Sequence, residues 1–436
     1  MINKIHNAQV STLNIAKKYH KKNKNRSIDI SVSPFCDFVT WADCIGNEKI
    51  KLLRKNRLSS FQYFKNILKE IFLIGINSNY EIASSKIETK NIDNVIYSYC
   101  SKKNFNNNGG FYDTNFNYGS KKNSNTVWFL ISLDNYIPKK IFNTFILYKK
   151  KNYFNLYYLF HSFLKNIFKK NFFHQFNYTY DYSKICYKFF FSKLQNAHFN
   201  LYIPYENRPH QNQIIRATKK ISKKNKIYCY YQRAPEPLQL EMIYKEKNID
   251  KLYVCSKIQK NIFIKYFSWP EKKIEIINSL KYLKFLNRSS HIFLPYNIEN
   301  SKFFLERLEK LQHLKKRSFN NYKISIHPLN EKSKEHLHLK KMIKINLIKN
   351  KNKPNNIPII LGAPGGTASE MLDTVGKVYH ICDSYLDIFS QKIWKNVKVT
   401  KISDSIYEYK RISYKFLLTN GNKNNFYNLI NKNKNF

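Results

Sequence analysis

The alternation of apolar and polar residues changes period many times along the chain, and each change marks an element. IDISVS at 28–33 alternates strictly and predicts a short strand that ends at Pro34. Residues 50–76 carry apolar side chains at helical spacing, through Leu52, Leu53, Phe61, Phe64, Ile67, Leu68 and Ile71. NVIYSYC at 94–100 and TVWFLIS at 126–132 predict strands, with another at 145–148. Residues 153–173 predict a helix with aromatic side chains on most faces.

From residue 199 the pattern becomes orderly. Strands at 199–203, 226–231, 252–255 and 273–277 alternate with helices at 209–223, 240–247 and 256–267. A second series follows, with strands at 291–294, 322–326, 357–361 and 377–381. Its helices lie at 299–317, from 331 onward and at 368–375. Strands alternating with helices predict parallel sheets, and such sheets bind ligands outside the carboxyl ends of their strands. Two series predict an α/β chain of two Rossmann-like lobes whose parallel sheets face a central cleft. The expected division is a polar N-terminal arm at 1–26 and a first lobe at 27–240 with a surface-loop insertion at 101–125. A second lobe at 241–420 and a loose Asn/Lys tail at 421–436 complete it.

Composition changes this picture in three ways. The formal net charge is +47, but it comes from 66 Lys and only 10 Arg, beside 55 Asn, 33 Tyr and 33 Phe. Those abundant residues have A/T-rich codons, and a nucleic-acid binder would be expected to favour the planar Arg fork. A solvated lysine coat is therefore favoured over a nucleic-acid partner. Seven scattered cysteines with no CxxC fit neither a disulfide framework nor a zinc site and point to a reducing, cytoplasmic setting. No run reaches the roughly 18 apolar residues of a membrane span, and the first residues lack the apolar core of a signal peptide. Finally, only ten glycines occur, and four lie between Gly362 and Gly376.

Three strand ends carry candidate chemistry. Glu206 follows the strand at 199–203 between Pro204 and Pro209. It reads either as a general base facing the cleft or as a carboxylate favoured by a helix dipole. His327 ends the strand YKISI, with Lys323 and Lys332 nearby in sequence, and reads as a phosphate ligand or as a hydrogen-bonded turn histidine. In IILGAPGGTASEM, Gly365 and Gly366 permit close backbone approach. Thr367 and Ser369 bring hydroxyls to a helix start, where free N–H groups attract phosphate, and Glu370 can accept from ribose. A tight turn with Thr or Ser as N-cap explains the hydroxyls but not the glycines. The chain has no GxxxxGK[ST], GxGxxG, DxD, HExxH or GxSxG.

The segments YENRPHQ, YYQRAPEPLQLEM with LYVCS, IHP and GGTASEM, in this order, resemble bacterial surface-carbohydrate biosynthesis proteins of the GT-B glycosyltransferase fold. The resemblance covers roughly 199–381. It is also similar in plan to capsule, polysialic acid and teichoic acid transferases that pair an HP motif with a Ser/Thr–Glu helix start. It implies a transferase acting on a nucleotide-sugar donor and a glycan or lipid-linked acceptor, and the absence of DxD disfavours a metal-dependent one, so a metal-independent enzyme with no cofactor is expected. It assigns donor phosphates to His327, Thr367 and Ser369, the sugar or ribose to Glu370, and a base role to Glu206. Arg233 stands where related chains often carry a His, and it is a candidate donor-phosphate or acceptor contact. Peripheral contact with an anionic membrane, through residues 153–176, is a separate expectation, weighed against a core helix. The competing readings are a basic binder of nucleic acid or anionic polymer and a catalytically degenerate GT-B homologue.

Overall fold

The computed structural model describes residues 1–22, 80–84, 92–120, 125–149, 194, 197–207, 209–231, 240–243, 245–280, 290–296, 298, 300–316, 318–319, 322–327, 330–347, 356–363, 365–382, 384–412 and 425–434. The strand expected at 28–33, the helices at 50–76 and 153–173, the membrane-contact segment 153–176 and Arg233 lie outside the described residues.

The first sheet has eight strands in the order β1-β6-β5-β2-β7-β8-β9-β10. They are β1 (Tyr80–Ser84), β2 (Asn94–Cys100), β5 (Thr126–Ser132), β6 (Thr144–Lys149), β7 (Asn200–Tyr205), β8 (Lys226–Tyr231), β9 (Lys251–Val254) and β10 (Ile274–Ile276). Only the edge strand β1 runs antiparallel to its neighbour. Strands β2, β5 and β8 are almost wholly buried, as expected of parallel strands covered on both faces. The second sheet runs β12-β11-β13-β14-β16-β15. Its parallel part is β11 (His291–Phe293), β12 (Lys323–Ser325), β13 (Ile359–Leu361) and β14 (Lys377–Ile381). An antiparallel hairpin, β15 (Val397–Ser403) and β16 (Ile406–Arg411), extends it. The α/β reading with two Rossmann-like, parallel-rich lobes therefore holds.

Strand order fixes where ligands can sit. In the first sheet, after the edge strand β1, the chain enters at β2, moves out through β5 to β6, then returns to the other side of β2 with β7. In the second it starts at β11, pairs β12 on one side, then returns with β13 on the other. Each reversal is a topological switch point, where the loops leaving adjacent strands diverge and open a crevice. The two crevices are flanked by residues after β2 and β7, and by residues after β11 and β13.

The structure corrects several of these expectations. The first lobe does not end at 240: β9 pairs with β8 and β10 with β9, so the ladder continues to Ile276. The expected helix at 240–247 is a 3-10 turn at Leu240–Ile243. Residues 1–22 are not a loose arm but hold a helix, Ile2–Lys22, with Ile5, Gln9, Thr12 and Leu13 buried along one stripe. Gln9 Nε2 donates to the carbonyl of Ile388 at 2.6 Å, so this helix is fixed to the second lobe, and it also packs on the turn Leu240–Ile243.

The 101–125 insertion is not wholly a solvated loop. It contains a 3-10 turn, Lys102–Asn104, and a hairpin of β3 (Tyr112–Asp113) and β4 (Tyr118–Gly119). Phe111 and Phe116 are buried, Phe111 against Trp128. The tail is also structured. Helix Asn425–Lys434 returns to the first sheet, where Phe426 stacks on Phe116 at 4.3 Å and meets Tyr202 edge-on at 5.5 Å. Asn433 Nδ2 donates to the hydroxyls of Tyr202 and Tyr253. Its Asn/Lys composition hides Phe426, Leu429 and Ile430, which fall at helical spacing and are buried.

Candidate active site

The second switch point is built from two walls. On one side β11 ends in Leu294, Pro295 and Tyr296, and on the other β13 ends in Gly362. Gly362 has φ +71, and a Cβ there would lie 2.6 Å from Pro295 Cβ. Glycine is thus required both by the backbone and by the touching walls. Its N–H donates to the Ile381 carbonyl, which ties the turn to β14.

Each wall is held from behind by a buried histidine. His336, on helix Lys334–Leu347, donates from Nε2 to the Pro295 carbonyl at 2.9 Å. His380, on β14, donates from Nε2 to the Gly362 carbonyl at 2.5 Å and accepts at Nδ1 from the Tyr409 hydroxyl at 2.6 Å. Burial pushes the His380 pKa down to about 4, and the Gly362 carbonyl acts against that shift. The imidazole is therefore neutral near pH 7, in the tautomer these two contacts specify.

Beyond Gly362 the turn opens. Gly365 has φ +50, and a Cβ there would meet nothing within 4 Å. Helix Thr367–Thr374 begins at Gly366 with no side-chain cap. Glu370 N–H donates to the Gly366 carbonyl, so the amides of Thr367, Ala368 and Ser369 precede the first helical bond; Ala368 and Ser369 are buried, and Thr367 is the partly open one. Two strands over, across β11, His327 follows β12, exposed, with its ring edge-on to Tyr296 at 5.0 Å. Asn330 Nδ2 donates to the Tyr296 carbonyl at 2.6 Å, and Asn330 N–H to the His327 carbonyl at 2.8 Å. The carboxyl edge thus joins an imidazole, an aromatic ring, a glycine turn and an uncapped helix start, a set suited to an anionic, ring-bearing ligand.

No protein-family model matches the chain, and no curated protein matches it. Among solved structures it is similar to a glycosyltransferase from Rickettsia africae ESF-5, at 12% identity and a TM-score of 0.31, over 66% of this chain and 79% of that one. It is similar also to the UDP-GlcNAc 2-epimerase of Methanocaldococcus jannaschii, at 12% identity and a TM-score of 0.36, over 79% of this chain and 100% of that one.

The structure brings His327, Gly365, Gly366, Thr367 and Glu370 to one sheet edge, and Lys332 lies exposed in the turn after His327. It removes two expected contacts. Ser369 is 0% exposed, so its hydroxyl lies inside the lobe and no ligand reaches it in this conformation. Lys323 opens β12 and pairs with His291, at the amino edge, about 13 Å of extended chain from His327. Sequence reasoning missed Pro295 and Tyr296, although the strand-end rule applied to FLPY would have found them. It also missed His336 and His380, which act from inside the lobe.

Glu206 occupies the other switch point, directly after β7. Its N–H donates to Gln211 Oε1 at 2.9 Å, and Gln211 Nε2 donates to the Pro204 carbonyl at 2.8 Å. Beneath it the Tyr205 hydroxyl lies 2.6 Å from Asn207 Oδ1 and 2.8 Å from Asn212 Oδ1, with Asn207 at φ +57. This network sets the turn and leaves Glu206 half-buried at the carboxyl edge. Among the described residues no three His, Cys, Asp or Glu side chains form a metal-holding group, and no helix is long and apolar enough to cross a membrane.

Two buried groups give the lobes opposite responses to acid. His380 lies below its ordinary 6.5, so between about 4 and 6.5 the unfolded chain binds the extra proton, and stability is lost as pH falls through that window. Asp113, in the insertion, is raised by burial from 3.8 to about 6, against hydrogen bonds from Ser98 and the N–H groups of Phe116 and Asn115. There the folded state binds the extra proton, and stability rises as pH falls from about 6 to 4. Hydrogen exchange compared at pH 7 and pH 5 should show β14 loosening while β2 tightens. Asp113→Asn should abolish the change in the first lobe alone.

Proposed function

We propose that this protein is a metal-independent glycosyltransferase that transfers a sugar from a nucleotide-activated donor to a glycan or lipid-linked acceptor in surface polysaccharide assembly. The observation that carries the reading is the second switch point, whose carboxyl edge holds the glycines after β13, a helix start without a side-chain cap, and, across β11, His327 against Tyr296. The helix start at Thr367 and the imidazole of His327 can meet the negative charge that develops on a departing nucleotide phosphate. Thr367 adds a hydroxyl there, Glu370 a carboxylate for sugar or ribose, and Lys332 positive potential.

Glu206, at the switch point of the other lobe, is assigned the acceptor side. As general base it would take the proton of the attacking hydroxyl while the sugar–phosphate bond breaks and the nucleotide leaves with its electron pair. The motif resemblance supports both assignments.

Calorimetric titration with UDP, GDP, CMP and dTDP tests the donor site, and at least one should bind. His327→Ala should weaken that ligand about tenfold through loss of one charge-assisted contact. Glu206→Gln should leave its affinity unchanged and lower turnover about a hundredfold or more once a donor and acceptor are found. Failure of all four nucleotides to bind, or a His327→Ala variant with unchanged affinity, would overturn the donor-site assignment.

A further inference from the structure

We propose that His380 is a positioning residue, whose bond to the Gly362 carbonyl sets the peptides at Gly362, where the chain leaves β13 toward the helix start that faces a ligand. The inference rests on the donor-site reading for its consequence, but the positioning itself is testable without any ligand.

The geometry is specific. β14 lies directly beside β13, with Ile360 opposite His380 and Leu361 opposite Ile381. The turn after β13 is held to β14 twice, by Gly362 N–H to the Ile381 carbonyl and by His380 Nε2 to the Gly362 carbonyl. Both polar groups of Gly362 are thus occupied, which fixes the orientation of its two flanking peptides. The next residues carry the chain to Gly365 at φ +50 and to the uncapped helix. The helix start at Gly366 follows four residues further along the chain.

The tautomer is also specified. An imidazole with one proton can donate from only one nitrogen. The Tyr409 hydroxyl donates to Nδ1, which leaves the proton on Nε2, facing Gly362. Tyr409 is itself 0% exposed and accepts from the Phe389 N–H at 3.4 Å, so the chain runs from Phe389 through Tyr409 and His380 to the turn. A merely space-filling role for this position would be met by a Leu or Phe and would leave no reason for a fully buried polar relay.

Hydrogen exchange over 359–366 in the ligand-free full-length chain is the first readout. His380→Leu should speed exchange there about tenfold or more, since the Gly362 carbonyl loses its partner. His380→Gln, which can still donate toward that carbonyl, should recover most of the protection. Tyr409→Phe, which frees the tautomer, should show an intermediate rate and keeps the test decisive if the Leu variant does not fold. Val378→Ala, a buried apolar truncation on the same strand, should lower Tm while leaving exchange over 359–366 close to wild type. The second readout is affinity for the nucleotide that binds the wild-type protein, which should fall in the same order.

Wild-type exchange in Tyr409→Phe, no recovery in His380→Gln, or an equal effect of Val378→Ala would overturn the inference. A wild-type protein that binds no nucleotide would instead remove the donor-site reading, with the exchange result still deciding whether His380 positions the turn.

Discussion

Gly362→Ala should destabilise the second lobe by about 3 kcal/mol, from roughly 1 kcal/mol of left-handed backbone strain and roughly 2 of overpacking. The residue sits at φ +71, and the added methyl would lie 2.6 Å from Pro295 Cβ and 3.6 Å from Phe304 Cζ. Pro295 cannot simply give way, because it is buried and its carbonyl is held by His336. The two walls of the switch point should therefore part, and nucleotide affinity should fall with stability. Gly365→Ala is the informative comparison. It shares a positive φ of +50, but its methyl would project into open space. It should cost only about 1 kcal/mol of strain. Urea unfolding of both variants checks this, and equal losses would show that the contact with Pro295 does not set the cost.

Phe426→Ala should cost about 4 kcal/mol, in the range of large-to-small changes at buried aromatic sites. Phe426 is 1% exposed and packs on Phe116, Tyr118 and Tyr202 from three directions. Its loss should release the end of helix Asn425–Lys434 and uncover the face of the first sheet formed by Tyr202, Tyr228 and Tyr253, whose rings stack across β7, β8 and β9. Hydrogen exchange should rise in β7, β9 and residues 111–118, with β13 and β14 unchanged. Equal loosening of the second sheet would contradict the assignment of this helix to the first lobe.

Apart from the turn at Leu240–Ile243, the elements from 199 to 381 were legible because each carries its own period. NLYIPY and KIYCYY are apolar runs of strand length, and Ser256 and Asn300 stand where helix N-caps belong and accept from Gln259 and Phe303. The lobe boundary was not legible. Pairing of β9 with β8 is a long-range choice, and nothing local at 240 distinguishes a strand that joins the old ladder from one that starts a new sheet. The insertion and the tail were misread through composition, since a few aromatics among many Asn and Lys decide burial while barely changing the average.

Within the site, residues on strand ends could be found from position alone, as His327, Gly365 and Gly366 were. Ser369 could not be judged, because inward and outward faces of an eight-residue helix differ by one or two positions. His380 gave no signal at all. It lies inside an apolar strand, KVYHI, and its purpose appears only when β16 brings Tyr409 opposite Val378 and within reach of its ring.

The return of helix Asn425–Lys434 to the first sheet has a consequence for synthesis. The first sheet is complete in sequence at Ile276, yet the surface that Phe426 covers stays bare until the helix emerges. At roughly 5–20 residues per second that interval is on the order of ten seconds, during which the whole second lobe is made. The lobe that is translated first is therefore finished last, and its exposed tyrosine face is the surface a chaperone would meet on the nascent chain.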